Sequence, residues 1–145
     1  MCDGRRLDIG FWFPRPARGA RLAEELRRLG HKVTIYHSVP VPGDQQHVRH
    51  VGYGVLSGFR ALRKVSHDIM YTSAAFVPVL QLRVSEWRTG RPYVFVLNGA
   101  MWAYYRERHQ SSLGWRMMVP LYPWLLRVAI GGADALVTNS RYLSD

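Results

Sequence analysis

Apolar and polar positions alternate at the start of the chain: Leu7, Ile9, Phe11 and Phe13 fall on every second residue, the period of a half-buried strand. Pro14 and Pro16 end that run. Leu22, Leu26 and Leu29 then recur at helical spacing with Ala23 beside them, while Arg21, Glu24, Glu25, Arg27 and Arg28 fill the opposite face. Gly30 stands where a left-handed C-terminal cap belongs, and His31 to Tyr36 returns to β-branched alternation. Leu7 to Tyr36 therefore predicts one βαβ unit, whose crossover makes its two strands parallel and puts ligand chemistry at their C-terminal ends.

The pattern continues in the same style. Ser38 to Tyr53, rich in Pro, Gly, Gln and His, predicts a loop; Val55, Phe59 and Leu62 predict a second amphipathic helix with Arg60, Arg63 and Lys64 on its wet face. Asp68 to Thr72 is a short apolar run suited to a strand buried on both faces, closed by Ser73. Phe76 to Trp87 is helical in spacing with Pro78 in its first turn, and Pro92 to Leu97 is the most strand-like run, ending at Asn98-Gly99. Leu113 to Ile130 predicts a broken helix or two short ones, stopped by Gly131-Gly132, and Ala133 to Thr138 a last buried strand before Asn139-Ser140. The fold class expected is α/β, a Rossmann-like parallel sheet with helices on both faces, in one domain over residues 1–145.

At 145 residues with 48% hydrophobic content, the chain is long enough to bury about 70% of its unfolded surface and is not a disordered segment. Its one cysteine, Cys2, rules out an internal disulfide or a thiolate metal cluster and suits a reducing, cytoplasmic compartment. Arg5 and Arg6 precede no continuous apolar run of the signal-peptide kind, and Met117 to Leu126 is broken by Pro120 and Pro123 well short of a membrane span. His47 and His50 are three apart but lie in a Pro- and Gly-rich stretch with no carboxylate helper, so they read as loop histidines and no metal is expected. The net charge is +10, and all but Lys32 and Lys64 of the 20 basic residues are arginine. That excess suits an arginine-favouring genome as well as it suits a surface for anionic partners. Nucleic acid is not among the expected partners, since no helix-turn-helix, zinc-finger, RNP or KH signature is present.

Each strand of this reading ends in small or polar residues: Arg15, Arg18 and Gly19 after the first, His37 and Ser38 after the second, Ser73 after the third, Asn98 and Gly99 after the fourth, Asn139 and Ser140 after the fifth. Loops are polar in any protein, but these share one edge of a parallel sheet, where ligands bind. Gly19 would let backbone N–H groups approach an anion, with Arg15 and Arg18 adding charge. The loop has one glycine where a dinucleotide fingerprint needs three. Trp102 to Arg127 holds three of the five tryptophans, interleaved with arginines. Trp115, Trp124, Arg116 and Arg127 suit a membrane interface, and equally suit packing against the sheet or a neighbour.

Four phrases in order carry a family resemblance. Leu22 to Thr34, with its Leu29-Gly30-His31-Lys32-Val33 ending, His67 to Thr72, Pro92 to Gly99, and Ala133 to Leu143 resemble the corresponding stretches of family 4 glycosyltransferases of GT-B fold, in their acceptor-side half. The resemblance implies the acceptor-binding half of an enzyme that moves a sugar from a nucleotide-sugar to a lipid-linked or polysaccharide acceptor, inactive without a donor-binding half beyond Asp145. It implies no cofactor besides the nucleotide-sugar co-substrate. The alternative is a non-catalytic subunit docked on the anionic cytoplasmic membrane face that recruits a separate donor-binding chain. The sequence departs from the family where a Gly-Gly pair becomes Arg18-Gly19 and a histidine becomes Asn98, an amide that cannot act as a base. No catalytic residue is assigned.

Overall fold

A computed structural model describes residues 5–13, 16–38, 46–52, 54–73, 77–97 and 119–138, with the backbone alone at 16–18, 97, 119 and 122. Strand β1 (Asp8–Trp12) leads to helix α1 (Pro16–Arg28) and strand β2 (Lys32–His37). Strand β3 (Val48–His50), helix α2 (Val55–Lys64), strand β4 (Ile69–Thr72) and helix α3 (Val77–Thr89) follow. Strand β5 (Tyr93–Leu97), a short 3₁₀ turn (Val119–Leu121), helix α4 (Tyr122–Ile130) and strand β6 (Ala135–Thr138) complete the described order.

The six strands form one sheet in the order β3-β2-β1-β4-β5-β6, and every neighbouring pair is parallel. The α/β Rossmann-like class is what the alternation of strand and helix patterns requires. On one face Ile9, Phe11, Val33 and Ile35 pack with Ala23 of α1, and Phe11 stacks on Tyr71 with ring centroids 4.3 Å apart. On the other, Trp12, Tyr36, Met70, Tyr93 and Phe95 meet Leu62 of α2, Val79 and Leu82 of α3 and Ala129 of α4. Helices therefore cover both faces.

The local signals that end the helices are visible in the bonds. After α1, Gly30 adopts φ +91°, its N–H donates to Arg27 O and the His31 N–H to Leu26 O, the paired bonds of a Schellman cap. Gly90, at φ +65°, closes α3 with a single bond from its N–H to Glu86 O.

Four details differ from expectation. Residues 48–50 lie in a stretch read as loop, yet form an edge strand; three residues are too few to show a period. Helix α1 starts at Pro16, not after it, since a first-position proline has no N–H to lose. Leu22 and Leu29 point outward, 39% and 74% exposed, and the buried stripe of α1 runs instead through Gly19 and Ala23. Strand β6, expected to be buried, is an edge strand with Leu136 and Val137 exposed.

Candidate binding cavity at the sheet's C-terminal edge

In the order 3-2-1-4-5-6 the chain runs outward from β1 to β3, then returns to the other side of β1 with β4. The crevice between the C-terminal ends of β1 and β4 is the switch point at which open α/β sheets bind ligands. The ends of β1 and β4 are tied there by the Thr72 hydroxyl, which donates to Trp12 O at 2.8 Å, while the Phe13 N–H donates to Tyr36 O of β2 at 2.9 Å. Phe13 leaves β1 at φ +46°, a left-handed conformation that costs a bulky residue about 1–3 kcal/mol. Such strain persists where the surroundings over-determine it, and it concentrates at functional sites.

Phe13 is one wall of a cavity of about 220 Å³. The others are Gly54 and Val55 at the start of α2, and Val77, Pro78 and Gln81 in the first turns of α3. Gln81 is 2% exposed and its amide is fully engaged: Oε1 accepts from Trp12 Nε1 at 3.0 Å, and Nε2 donates to Val55 O at 3.1 Å and Gly54 O at 3.3 Å. Gly58 makes room for it, since a Cβ there would run into the Gln81 amide. Among the described residues the cavity wall is thus apolar, with its amide already satisfied, and the first turns of two helices open on it.

A second constellation sits toward the strands' N-terminal ends, over Gly10. His67 Nδ1 lies 2.5 Å from Asp8 Oδ1, and Lys32 Nζ donates to Asp8 Oδ2 at 2.5 Å. A carboxylate only accepts, so Nδ1 carries its hydrogen toward Asp8, and in the neutral ring Nε2 accepts from the Tyr36 hydroxyl at 2.8 Å. His67 and Tyr36 are buried, and a Cβ at Gly10 would lie 2.5 Å from the His67 ring. Burial works to raise the Asp8 carboxyl, but the hydrogen bonds from Lys32 and His67 and the Lys32 charge outweigh it and hold it below the usual value. Burial pushes the Tyr36 hydroxyl up, with the Asp8 charge adding and Arg49 opposing. Neither described cavity is lined by these groups; the Asp8-His67-Tyr36 chain joins β1, β2 and the segment before β4 as an internal brace.

Of the residues expected at the ligand edge, Gly19 is buried in the first turn of α1, and Ser73 is buried directly after β4. Arg15, Asn98, Gly99 and Ser140, and Trp115 and Arg116 of the interfacial set, lie outside the described residues, as does the side chain of Arg18. Trp124 and Arg127 are exposed on α4. Among the described residues no helix is long and apolar enough to cross a membrane, and no group of three or more His, Cys, Asp or Glu gathers in metal-binding reach. Sequence reasoning missed Phe13, Gln81 and the Asp8-His67-Tyr36 chain. Gln81 had a signal, a lone amide inside the otherwise apolar run Val77 to Leu82; His67 had none, because its partners are 31 and 59 residues away.

No protein-family model matches the chain, and no curated protein sequence does. Among solved structures it is similar to NtrX from Brucella abortus, a response regulator, with a TM-score of 0.53 and 10% identity. The match takes in 93% of this chain and 23% of NtrX, so the chain spans about a quarter of that protein's length, and the likeness is one of fold. The expectation of a glycosyltransferase half, with its nucleotide-sugar donor, glycan or lipid-linked acceptor and membrane-docking role, is corrected by this finding: the solved structure it resembles in fold is NtrX, which is not a glycosyltransferase.

The bonds explain why the phrases misled. Asp68 Oδ2 accepts the Asp8 N–H at 2.8 Å while the Asp68 N–H donates to Asp8 O. Asp134 Oδ2 accepts the Tyr93 N–H at 3.0 Å while the Asp134 N–H donates to Tyr93 O. In both phrases the aspartate before the apolar run clamps the start of a neighbouring parallel strand. Together with the Gly30 cap, these are devices for starting strands in a parallel sheet and carry no sugar chemistry.

Proposed function

We propose that this chain is a ligand-binding domain whose cavity between β1, α2 and α3 takes a small molecule with one apolar ring and one anionic group. The observation that supports it is the strained Phe13, held at φ +46° at the switch point and forming a wall of the cavity. Size limits the ligand. An apolar cavity of about 150 Å³ admits benzene, and drug-sized ligands need about 300 Å³ or more, so 220 Å³ suits a single substituted ring. A dinucleotide or nucleotide-sugar exceeds it. The anionic group follows from the two helix starts that open on the cavity, each carrying partial positive charge, and from a net charge of +10. The described lining residues supply apolar surface and one engaged amide, which suits binding.

Titrating the protein with phenyl phosphate and benzoate, with benzyl alcohol as the uncharged control, tests this reading through the Trp12 indole N–H signal in an NMR spectrum. The two anions are expected to shift that signal saturably and the alcohol to do so more weakly, because a ring in the cavity touches Gln81, the Trp12 partner. An unmoved signal at millimolar anion would refute it.

The likeness to NtrX supports a second reading, a phosphorylation-switched regulatory domain. A carboxylate acceptor at the ligand edge is what that reading lacks among the described residues: Asp8, Asp68 and Asp134 stand at the opposite ends of strands, and Glu24, Glu25 and Glu86 lie on helices. Incubation with acetyl phosphate and magnesium, followed by intact mass, separates the two. Gain of a phosphoryl group favours the second reading, and an unchanged mass favours the first.

A further inference from the structure

The outer surface of α2 and α3 carries a second groove, of about 160 Å³. Phe59, Leu62 and Arg63 form its α2 side, and Val84, Ser85 and Arg88 its α3 side. Its floor is apolar and open, with Val84 38% exposed and Phe59 half-buried, while Arg63 and Arg88 flank it. Thr89, also in the wall, donates its hydroxyl back to Ser85 O within α3, which spends both groups locally.

The charges around this groove are one-sided. Arg60, Arg63 and Lys64 on α2 and Arg88 on α3 have no carboxylate in ion-pair reach among the described residues. Helix α1 behaves differently, with Arg28 bonded to both Glu24 and Glu25. The one carboxylate of α2 and α3, Glu86, is taken by Arg83. Favourable interaction with the helix dipole accounts for Arg63, Lys64 and Arg88, which lie in last turns, but Arg60 lies a turn earlier and the dipole does not explain an open apolar floor.

We infer that the α2–α3 groove is a docking surface for an acidic amphipathic helix of a partner protein. Apolar side chains at helical spacing on the partner would fill the floor over Phe59 and Val84, and carboxylates beside them would pair with Arg63 and Arg88, which can each hold a carboxylate by two parallel hydrogen bonds. The surface is independent of the ligand cavity, which lies at the opposite ends of the same helices.

The test uses a fluorescent synthetic peptide with leucine at i, i+3, i+4 and i+7 and glutamate elsewhere, and a counterpart with lysine for every glutamate. Anisotropy is expected to show the acidic peptide binding and the basic one not. Binding should weaken from 0.15 M to 1 M salt as the screening length falls from about 8 Å to about 3 Å. Arg63→Glu with Arg88→Glu should weaken it roughly tenfold or more, at a circular dichroism spectrum equal to that of the unsubstituted chain. Arg21→Glu with Arg28→Glu, the same charge change on α1 across the sheet from the groove, should leave most of the affinity. No binding, equal binding of the two peptides, or equal loss in both variant pairs would overturn the proposal. Retention on anionic vesicles without peptide binding, or self-association of the chain lost in the groove variant, would do so too and would name the other occupant.

Discussion

Removing one end of the buried Tyr36–His67 hydrogen bond leaves the other end unpaired, and the structure sets the size of that effect. Tyr36 is 4% exposed and His67 8% exposed, so neither lost partner is replaced by bulk water. Tyr36→Phe strands His67 Nε2, and His67→Leu strands the Tyr36 hydroxyl, each costing about 1–3 kcal/mol for the uncompensated group. His67→Leu adds a smaller loss at Asp8, because that carboxylate keeps Lys32 and is about a quarter exposed. In the double variant the penalty vanishes from both sides, since an apolar pair replaces a satisfied polar pair. The double variant should therefore be less destabilised than the sum of the two singles by about 2–6 kcal/mol, both penalties together. Urea unfolding near neutral pH, with the four m-values equal, reads this directly from the midpoints. Additivity within about 0.5 kcal/mol would refute the brace, because it would show that the two groups do not depend on each other.

Gly10→Ala should cost about 1–3 kcal/mol, as its Cβ meets the His67 ring at 2.5 Å and Met70 Sδ at 2.6 Å; a thermal melt unchanged from the parent would contradict that packing. Tyr93, buried and donating to Ala129 O, is pushed up to about 12 by burial, with Glu86 and Asp134 adding and Arg83 opposing. Its contribution is whole below the unfolded value of about 10 and is lost as pH rises from there through about 12, so Tyr93→Phe should flatten the alkaline limb of the stability curve. Asp8 runs the other way: its depressed carboxyl adds stability above the unfolded value of about 3.9, lost as pH falls through the folded value. Lys32→Met should therefore move the acid unfolding midpoint upward. Phe13→Gly relieves a φ of +46° but removes a buried ring, so it should destabilise the fold and also abolish the ligand-induced shift at Trp12, whereas Leu29→Ala, at an exposed position, should do neither.

The fold was legible because its signals are local. A period of two in Leu7 to Phe13, a glycine cap at position 30 and a continuous apolar run before Thr72 each need only neighbouring residues to be read. Strand β3 escaped because three residues carry no period, and the outward turn of Leu22 and Leu29 escaped because helical spacing allows more than one stripe on α1; burial chose the narrow one through Gly19 and Ala23 that lets the helix lie close on the sheet. The family phrases misled for the same local reason. An aspartate before an apolar run is legible, but its partner, the first N–H of a strand 41 or 60 residues away, is not.

The cavity and the brace share a single sheet face, and that placement has a physical consequence. Tyr36, which ends the brace, lies against Trp12 with ring centroids 5.5 Å apart, and Trp12 holds Gln81 in the cavity wall. Lys32, Asp8, His67, Tyr36, Trp12, Gln81 and the first turn of α2 thus form a continuous line of bonded or touching groups from one end of the strands to the other. Each joint but the ring contact is a directional hydrogen bond with few alternative partners, so a displacement of Gln81 has little slack to absorb it before Trp12 must move. Close packing transmits the movement further only if Tyr36 is itself held, which is what His67 does. A brace that looks purely structural therefore also sets how stiffly the cavity wall meets its ligand, and Tyr36→Phe should broaden the Trp12 indole signal in the unliganded protein even though Tyr36 is not among the residues lining the cavity.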